Sequence, residues 1–182
     1  ERNPSILEVP SMFQAARLVG KTLRDVIKES APTGGPDAES TFRATLILGG
    51  QIAGSEPRLF MIYPEGNFVE ASKETPFFQI GETKYGRPIL IRGYDREMSF
   101  EAAVKLMTVS FDSTLKANLS VGLPLDLLVI ERDSFTPFHE RRIDGTDPYF
   151  QAVSTGWGEA LKQALDALPD YQMEPDLRHA AE

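Results

Sequence analysis

Two apolar runs joined by a tight turn constrain the fold of this chain more than any other feature. Residues 58–63 read RLFMIY, residues 64–67 read PEGN, and the extended pattern resumes directly after the turn. Because Pro, Gly and Asn favour tight turns, this segment predicts a β-hairpin. Residues 44–48 and 77–80 are short apolar runs on either side of it. Closely spaced strands joined by turns predict an antiparallel sheet.

Helices are predicted in separate stretches before and after these strands. Residues 11–29 and 99–117 carry apolar or small side chains at steps of three and four, and each stretch begins with a capping serine. Residues 149–168 form a third stretch, which ends before a proline. Residues 82–90 give a weaker helical pattern, because they contain a glycine and a proline.

A second pair of strands is predicted near the C-terminal end. Residues 125–131 read LDLLVIE, and residues 138–143 are placed to pair with them. The order along the chain is therefore helix, strands, helices, strands, helix. Strands and helices that come in separate runs predict an α+β layered architecture and not a doubly wound parallel sheet.

Length, charge and composition limit the class of protein. A chain of 182 residues is long enough for one domain with a sizeable core, and we expect a single domain over residues 1–182 with a flexible tail from about residue 170. The net charge of −8 disfavours a nucleic-acid partner. No apolar run approaches the roughly 20 residues of a membrane-spanning helix. The absence of cysteine is compatible with a reducing compartment, so we expect a cytoplasmic protein.

Cysteine and histidine provide no catalytic motif. Cysteine is absent, which excludes a cysteine nucleophile, disulfides and Cys–zinc sites. His139 and His179 lie outside any HExxH-type spacing, so we predict neither a metal site nor a cofactor. Residues 49–51, GGQ, lack the third glycine of a dinucleotide-binding loop. The patterns by themselves predict an α+β domain without a self-contained catalytic constellation.

Two polar segments are nevertheless candidates for a site. Glu82 and Thr83 follow Gly81 directly after a predicted strand, and a helix that began there would offer free backbone N–H groups to an oxyanion. The alternative is simple helix capping by Thr83. Ser120, two residues after Asn118, lies between the strongest helix and a strand. It would line a site as a hydroxyl donor, or it would only form a local turn.

Two longer stretches resemble the proteasome β-subunit superfamily, and more narrowly its bacterial Anbu branch. In that superfamily a strand reading like LYxIDPxG precedes a further strand, which ends in a Gly-Ser-Gly type turn that opens a helix. Residues 59–66 match the first of these features, and residues 81–86 occupy the turn. Residues 99–130 are similar to the family's SxEEAxKL helix with its following polar turn and apolar strand. The segments GETKYGRPIL and NLSVGLPLDLLV are typical of Anbu, and the resemblance covers residues 4–169.

The resemblance implies an α+β fold of the N-terminal nucleophile hydrolase type. This fold is a four-layer αββα sandwich with two antiparallel sheets between two helix layers. It also implies hydrolysis of peptide bonds by an N-terminal Thr or Ser, whose own α-amino group serves as base while a nearby Lys and Asp tune it. A free α-amine titrates near pH 8, so it can accept a proton at neutral pH without a histidine. The reaction requires no cofactor and no metal.

The resemblance assigns roles to both polar segments. Asn118 and Ser120 fall in the turn where family members place polar residues that support the nucleophile. Gly81, Glu82 and Thr83 are expected to line the substrate site. Glu82 and Thr83 depart from the pattern of most members, which have Ser-Gly at these positions.

The resemblance also predicts the origin of the nucleophile. In the family the nucleophile, its Asp and its Lys come from strands ahead of the first long helix, so we expect that segment to be absent here and Glu1 not to be the nucleophile. By themselves, residues 1–182 are then expected to be inactive. The complete protein is expected to form a large homo-oligomer of identical subunits that hydrolyses peptides or unfolded proteins.

Two alternatives remain open at this level. One is a non-catalytic structural subunit, like the α-type ring members of the superfamily. The other is an unrelated α+β binding domain, which would have neither a four-layer sandwich nor ring contacts. The residue exposed at the native N-terminus distinguishes the peptidase from the structural subunit.

Overall fold

The computed structural model describes residues 5–30 and 42–173. Within these ranges the chain forms four helices and five strands, in the predicted overall order. The elements are α1 (Met12–Glu29), β1 (Leu46–Gly50), β2 (Arg58–Ile62), β3 (Phe68–Glu70), α2 (Arg87–Gly93), α3 (Phe100–Ala117), β4 (Leu125–Ile130), β5 (Pro137–Ile143) and α4 (Pro148–Asp166). Every strand pair is antiparallel, which confirms the α+β class. No helix in these ranges is long and apolar enough to cross a membrane.

Several predicted features fall outside the described residues. They include Glu1, His179 and most of the tail predicted from about residue 170.

The predicted hairpin supplies β2 and β3 of a three-stranded sheet with the order β1-β2-β3, in which β2 is central. β2 pairs on one side with β1, with Leu46 opposite Ile62, and on the other side with β3, with Phe60 opposite Glu70. β1 begins two residues later than predicted and continues through the two glycines at residues 49–50, which the sequence pattern places at its end. Phe60 and Ile62 are the largest fully buried side chains of the described residues. Burial stabilises each by about 1.5–3 kcal/mol.

Helix α1 covers one face of this sheet, and its glycine allows a close approach to the β2–β3 turn. Ser11 caps the helix through a hydrogen bond from the backbone N–H of Gln14 to its Oγ, as predicted. A Cβ added to Gly20 would lie 2.3 Å from the carbonyl oxygen of Gly66. Gly66 has a φ of +85°, in the left-handed region that favours glycine. These two glycines therefore determine how the helix sits on the hairpin.

Residues 77–80 do not form the predicted strand. They pair with no strand of the described chain, and the ring of Phe77 packs instead against Tyr94, with ring centroids 5.8 Å apart. An apolar β-type run becomes a strand only where a partner ladder is available. Here its apolar side chains are accommodated by packing beside α2.

Helix α2 begins five residues later than the weak pattern at 82–90 suggests. Proline is tolerated in the first turn of a helix, where its missing N–H would have no partner anyway. Pro88 occupies this first turn, so the helix starts at Arg87 with Gly86 as its N-cap. The residues before Gly86 form turns.

The second sheet consists of β4 and β5. Side chains along β4 alternate between half-buried and exposed, and Leu128 and Ile130 are 53% and 55% exposed. At the end of β5, Arg141 forms an ion pair with Asp147, the residue that caps α4. The backbone N–H of Phe150 holds the pKa of the Asp147 carboxyl below its usual value, and Arg141 acts in the same direction. Helix α4 packs against α3, which in turn packs against α2.

A set of polar contacts joins the β1–β2 loop to the β4–β5 loop. Gln51 Nε2 donates to Asp133 Oδ1 at 2.6 Å and to the carbonyl oxygen of Ser55 at 2.7 Å, and Gln51 Oε1 accepts from the backbone N–H of Asp133 at 2.8 Å. Arg132 pairs with Glu56 at 2.5 Å. We call these contacts of Gln51, Ser55, Asp133, Arg132 and Glu56 the loop clasp. Because each loop belongs to a different sheet, the loop clasp connects the two hairpins directly.

Gln51→Ala is expected to lower the free energy of unfolding by about 1–2 kcal/mol, because it removes all three hydrogen bonds of the clasp side chain. Arg132→Ala removes only exposed ion pairs, with Glu56 and Asp133, for which about 0.5 kcal/mol is expected. Urea denaturation of both variants measures the difference. Gln163→Ala, at an exposed position of α4, is the matched control. A Gln51→Ala protein as stable as the control would show that the clasp does not tie the hairpins together.

Candidate active site

The segment before α2 turns at Gly81, and the following residue hydrogen-bonds to its own turn. Gly81 has a φ of +77°, and nothing lies within 4 Å of the position of an added Cβ. Backbone conformation, and not crowding, therefore requires glycine here. Glu82 Oε1 accepts a hydrogen bond of 2.8 Å from the backbone N–H of Lys84. The half-buried Glu82 carboxylate is thus held close to the backbone.

Helix α3 ends at an asparagine whose amide group organises the next turn. Asn118 has an extended backbone, and its N–H donates to the carbonyl oxygen of Thr114 at 2.9 Å. Its Oδ1 accepts two hydrogen bonds from Ser120, one from the backbone N–H at 2.9 Å and one from Oγ at 2.7 Å. These two bonds leave the Nδ2 group of Asn118 pointing away from its own turn.

The two segments meet through one hydrogen bond between side chains. Asn118 Nδ2 donates to Glu82 Oε2 at 2.7 Å. We call Glu82, Asn118 and Ser120 the polar cluster. A short hydrogen bond to a charged acceptor is stronger than one between neutral groups. The polar cluster therefore connects the turn before α2 to the turn after α3.

Close packing of α2 on α3 brings the two turns together. Gly86 is buried, and an added Cβ would lie 2.3 Å from Ser110 Oγ and 3.0 Å from Thr114 Oγ1. Thr114 Oγ1 donates to the carbonyl oxygen of Ser110 at 2.9 Å, and Ser113 Oγ bonds back to its own helix in the same way. Serine and threonine inside helices often bond back to their own helix in this way. The small side chains of this α3 segment allow the contact.

Comparison of the chain with solved structures identifies similar proteins, although no family model matches it. Anbu from Hyphomicrobium sp. strain MC1 is 46% identical with a TM-score of 0.84, and the match covers 93% of this chain and 68% of that one. Anbu (ancestral beta-subunit) from Yersinia bercovieri is 44% identical with a TM-score of 0.84, over 93% of this chain and 70% of that one.

The helical assembly of the Anbu complex from Pseudomonas aeruginosa shows the same similarity. Its chain is 41% identical with a TM-score of 0.84, over 94% of this chain and 71% of that one. This chain belongs to the Anbu family. The resemblance seen in the sequence is thereby confirmed. These Anbu structures match 93–94% of this chain at sequence identities of 41–46%, which are too high to reflect a shared fold alone.

The Anbu chain is also related to curated proteasome subunits. Proteasome subunit beta from Methanocaldococcus jannaschii is 29% identical over 103 residues, which are 57% of this chain and 45% of that protein. The chain thus spans less than half the length of the curated relatives it matches. The Anbu structures and the proteasome β-subunit similarity agree with an α+β fold of the N-terminal nucleophile type.

Three of the five predicted site residues of this Anbu chain lie in direct contact, namely the polar cluster. Gly81 and Thr83 flank Glu82 along the chain. The carbonyl oxygen of Thr83 accepts from the backbone N–H of Arg87 at 3.1 Å. Because α2 starts only at Arg87, the residues after Gly81 do not form the helix N-terminus that the sequence suggests as an oxyanion site.

Two further polar side chains of the Anbu chain have buried atoms, one before Gly81 and one on α3. Gln79 Oε1, two residues before Gly81, is buried and has no hydrogen-bond partner in the described part of the chain. Asp112 is buried on α3 and binds Lys116 Nζ at 2.9 Å. The spacing of four residues on a predicted helix is a signal that could have indicated this ion pair. Nothing in the sequence marks Gln79.

One groove of the Anbu chain lies away from the polar cluster. It has a volume of about 290 Å³, is mostly apolar, and lies between the start of α3, where Phe100 and Val104 line it, and strands β4 and β5. Helix α3 is 18 residues long, so its two ends are about 25 Å apart. His139 is exposed and lines this groove. Among the described residues, no group of three or more His, Asp or Glu is placed to hold a metal ion.

Proposed function

We propose that this chain is part of a proteasome-like peptidase, in which an N-terminal Thr or Ser of the complete protein is the nucleophile. The observation that carries the proposal is the polar cluster, in which side chains from turns 36 positions apart converge at 2.7 Å. An N-terminal nucleophile whose own amine is the base needs such fixed partners to hold its orientation. The relatives named Anbu and proteasome subunit beta support the same reaction class.

The proposed reaction is acyl transfer through a covalent intermediate. The nucleophile's hydroxyl oxygen attacks the carbonyl carbon of the scissile peptide bond while the α-amine accepts the hydroxyl proton. The protonated amine then gives its proton to the leaving amine as the C–N bond breaks. Water hydrolyses the acyl-enzyme ester, again with the α-amine as base, and restores the nucleophile. In this scheme Asn118 and Ser120 support the nucleophile, and Gly81, Glu82 and Thr83 line the substrate site.

For the complete protein we propose a single-domain, four-layer αββα sandwich. Helix α1 covers one face of the first sheet. Helices α3 and α4, which come later in the chain, pack against each other. Leu128 and Ile130 leave an apolar face on β4 that is more than half exposed. Stacking of the two sheets would bury this face.

We further propose that the complete protein is a large homo-oligomer located in the cytoplasm and acting on peptides or unfolded proteins. The last turns of α4 and the residues after it expose large apolar side chains, among them Leu165, Leu168 and Tyr171, which are 64–86% exposed. Such a surface is typical of an interface. The Anbu complex of Pseudomonas aeruginosa is described as a helical assembly.

Covalent labelling of the complete protein tests the proposed reaction. An electrophilic peptide, such as a peptide vinyl sulfone, is incubated with the protein, which is then digested and analysed by mass spectrometry. We expect one adduct, on a native N-terminal Thr or Ser, and loss of the adduct after acetylation of the α-amine. A native N-terminus that is blocked, or that carries neither Thr, Ser nor Cys, would refute the peptidase and favour the structural subunit.

A further inference from the structure

The first helix presents four cations to solvent along one face. Arg17, Lys21, Arg24 and Lys28 are spaced by four, three and four residues in α1, so their side chains are neighbours on the helix surface. All four side chains are exposed, and the residues that α1 buries against the first sheet are different ones. We call these four cations the basic stripe.

The basic stripe has almost no counter-charge in its own chain. Its only ion pair with a described residue joins Arg24 Nε to Asp25 Oδ1 at 3.9 Å. Arg17 and Lys21 are like charges four residues apart, as are Arg24 and Lys28, and such pairs destabilise a helix. Without these four of its 19 Lys and Arg residues, the chain would have a net charge of −12 instead of −8. The charges of the stripe therefore do not stabilise α1, and they stand out on an acidic protein.

The acidic excess of the described chain is concentrated in α4 and the residues around it. Residues 144–173 contain five acidic side chains and one basic side chain, Lys162, whereas residues 42–143 contain 13 acidic and 12 basic ones. Glu159 and Asp166 lie seven residues apart on α4, so they share one face of the helix. Both are exposed, and neither forms an ion pair with a described residue. We call Glu159 and Asp166 the acidic face.

The basic stripe and the acidic face match in spacing as well as in charge. Lys21 and Lys28 also lie seven residues apart, and seven helical residues span about 10 Å. Two cations of α1 can therefore meet two carboxylates of α4 when the helices lie side by side. Within one copy, no ion pair between described residues joins the two helices. Their complementarity is thus available to another molecule.

We propose that the basic stripe of one copy binds the acidic face of a second copy. This inference rests on the proposed function, in which the complete protein is a large homo-oligomer. Leu165, one of the exposed apolar side chains of α4, directly precedes Asp166, and charges beside an apolar contact are typical of protein interfaces. Because the two faces belong to different helices, the contact is head-to-tail. Such a contact can repeat from copy to copy, as a closed ring or an open helix.

Charge reversal in the complete protein tests this contact. Lys21→Glu combined with Lys28→Glu is expected to raise the dissociation constant between subunits at least about a hundredfold, because like charges would then face each other across the interface. Glu159→Lys combined with Asp166→Lys is expected to have a similar effect. The protein with all four substitutions should regain assembly to within about tenfold of wild type, because the charges are complementary again. Sedimentation velocity over a range of protein concentrations measures all four proteins.

A matched control separates the contact from an effect of net charge. Arg96→Glu combined with Lys105→Glu changes the net charge as much as the α1 reversal does, at two exposed positions outside both faces. This variant should assemble like wild type. Circular dichroism verifies the fold of each variant. Recovery of assembly in the fourfold variant would also show that the losses in the two double variants do not come from misfolding.

The outcomes separate this inference from the proposed function. A wild-type assembly that neither double reversal weakens overturns the contact and leaves the homo-oligomer standing, whereas a wild type that sediments as a monomer overturns both. An α1 reversal that assembles normally but loses binding to duplex DNA in a mobility-shift measurement shows that the basic stripe binds nucleic acid, and overturns the contact between copies. Labelling of the N-terminus by the electrophilic peptide tests the peptidase independently of all these results. Loss of assembly in both double reversals, with recovery in the fourfold variant, supports the contact.

Discussion

Gly20→Ala is expected to lower the free energy of unfolding by about 3 kcal/mol. The added Cβ would lie 2.3 Å from the carbonyl oxygen of Gly66, and this oxygen belongs to the backbone of a tight turn. A side chain could rotate away from such a clash, but here α1 or the whole β2–β3 turn must move. Either movement loosens the contact between the helix and the sheet that contains the buried Phe60 and Ile62.

A second mid-helix glycine provides the control for this prediction. Gly156 lies inside α4 with nothing within 4 Å of an added Cβ. Gly156→Ala should raise the free energy of unfolding by about 0.5–1 kcal/mol, because alanine favours the helix over glycine. Urea denaturation of both variants measures the two effects, which differ in sign. A Gly20→Ala protein that is stabilised as Gly156→Ala is would contradict the close contact with Gly66.

Local patterns were sufficient to predict most of the fold. The PEGN turn and its flanking apolar runs specify the β2–β3 hairpin within a dozen residues. Serine caps and apolar spacing placed the starts of α1 and α3 to the residue. The run at residues 77–80 failed because its apolar composition indicates burial without indicating the partner. The partner of the Phe77 ring is Tyr94, at the C-terminal end of α2, and no local sequence pattern indicates this contact.

The candidate site was predictable residue by residue but not as an arrangement. Resemblance to the family drew attention to Asn118, Ser120 and the segment after Gly81. The resemblance predicted that Glu82 lines the substrate site, because Glu82 is adjacent to Gly81 and Thr83 in the sequence. The hydrogen bond between Glu82 and Asn118 spans 36 positions. It depends on the approach of α2 to α3 at Gly86, so only the three-dimensional structure shows that Glu82 contacts Asn118.

Kinetics of the complete protein should rank the members of the polar cluster. Asn118→Ala is expected to lower kcat for a fluorogenic peptide roughly tenfold to a hundredfold, because a hydrogen bond to a charged group contributes about 1.5–3 kcal/mol. Ser120→Ala is expected to lower kcat less than tenfold, because the backbone N–H of Ser120 still donates to Asn118 Oδ1 at 2.9 Å. Both losses should appear in kcat more than in KM, since under the proposed function Asn118 and Ser120 orient the base.

The ranking itself is the sharpest part of this prediction. Asn118 is the only member of the cluster that contacts both of the others, through 2.7 Å bonds to Glu82 and to Ser120 Oγ. Removing its side chain takes one hydrogen bond from the Glu82 carboxylate and two from Ser120. Ser55→Ala, at an exposed position of the β1–β2 loop, controls for the loss of a hydroxyl elsewhere. Equal losses for Asn118→Ala and Ser120→Ala, or losses confined to KM, would contradict a cluster organised around Asn118 that acts on the nucleophile's amine.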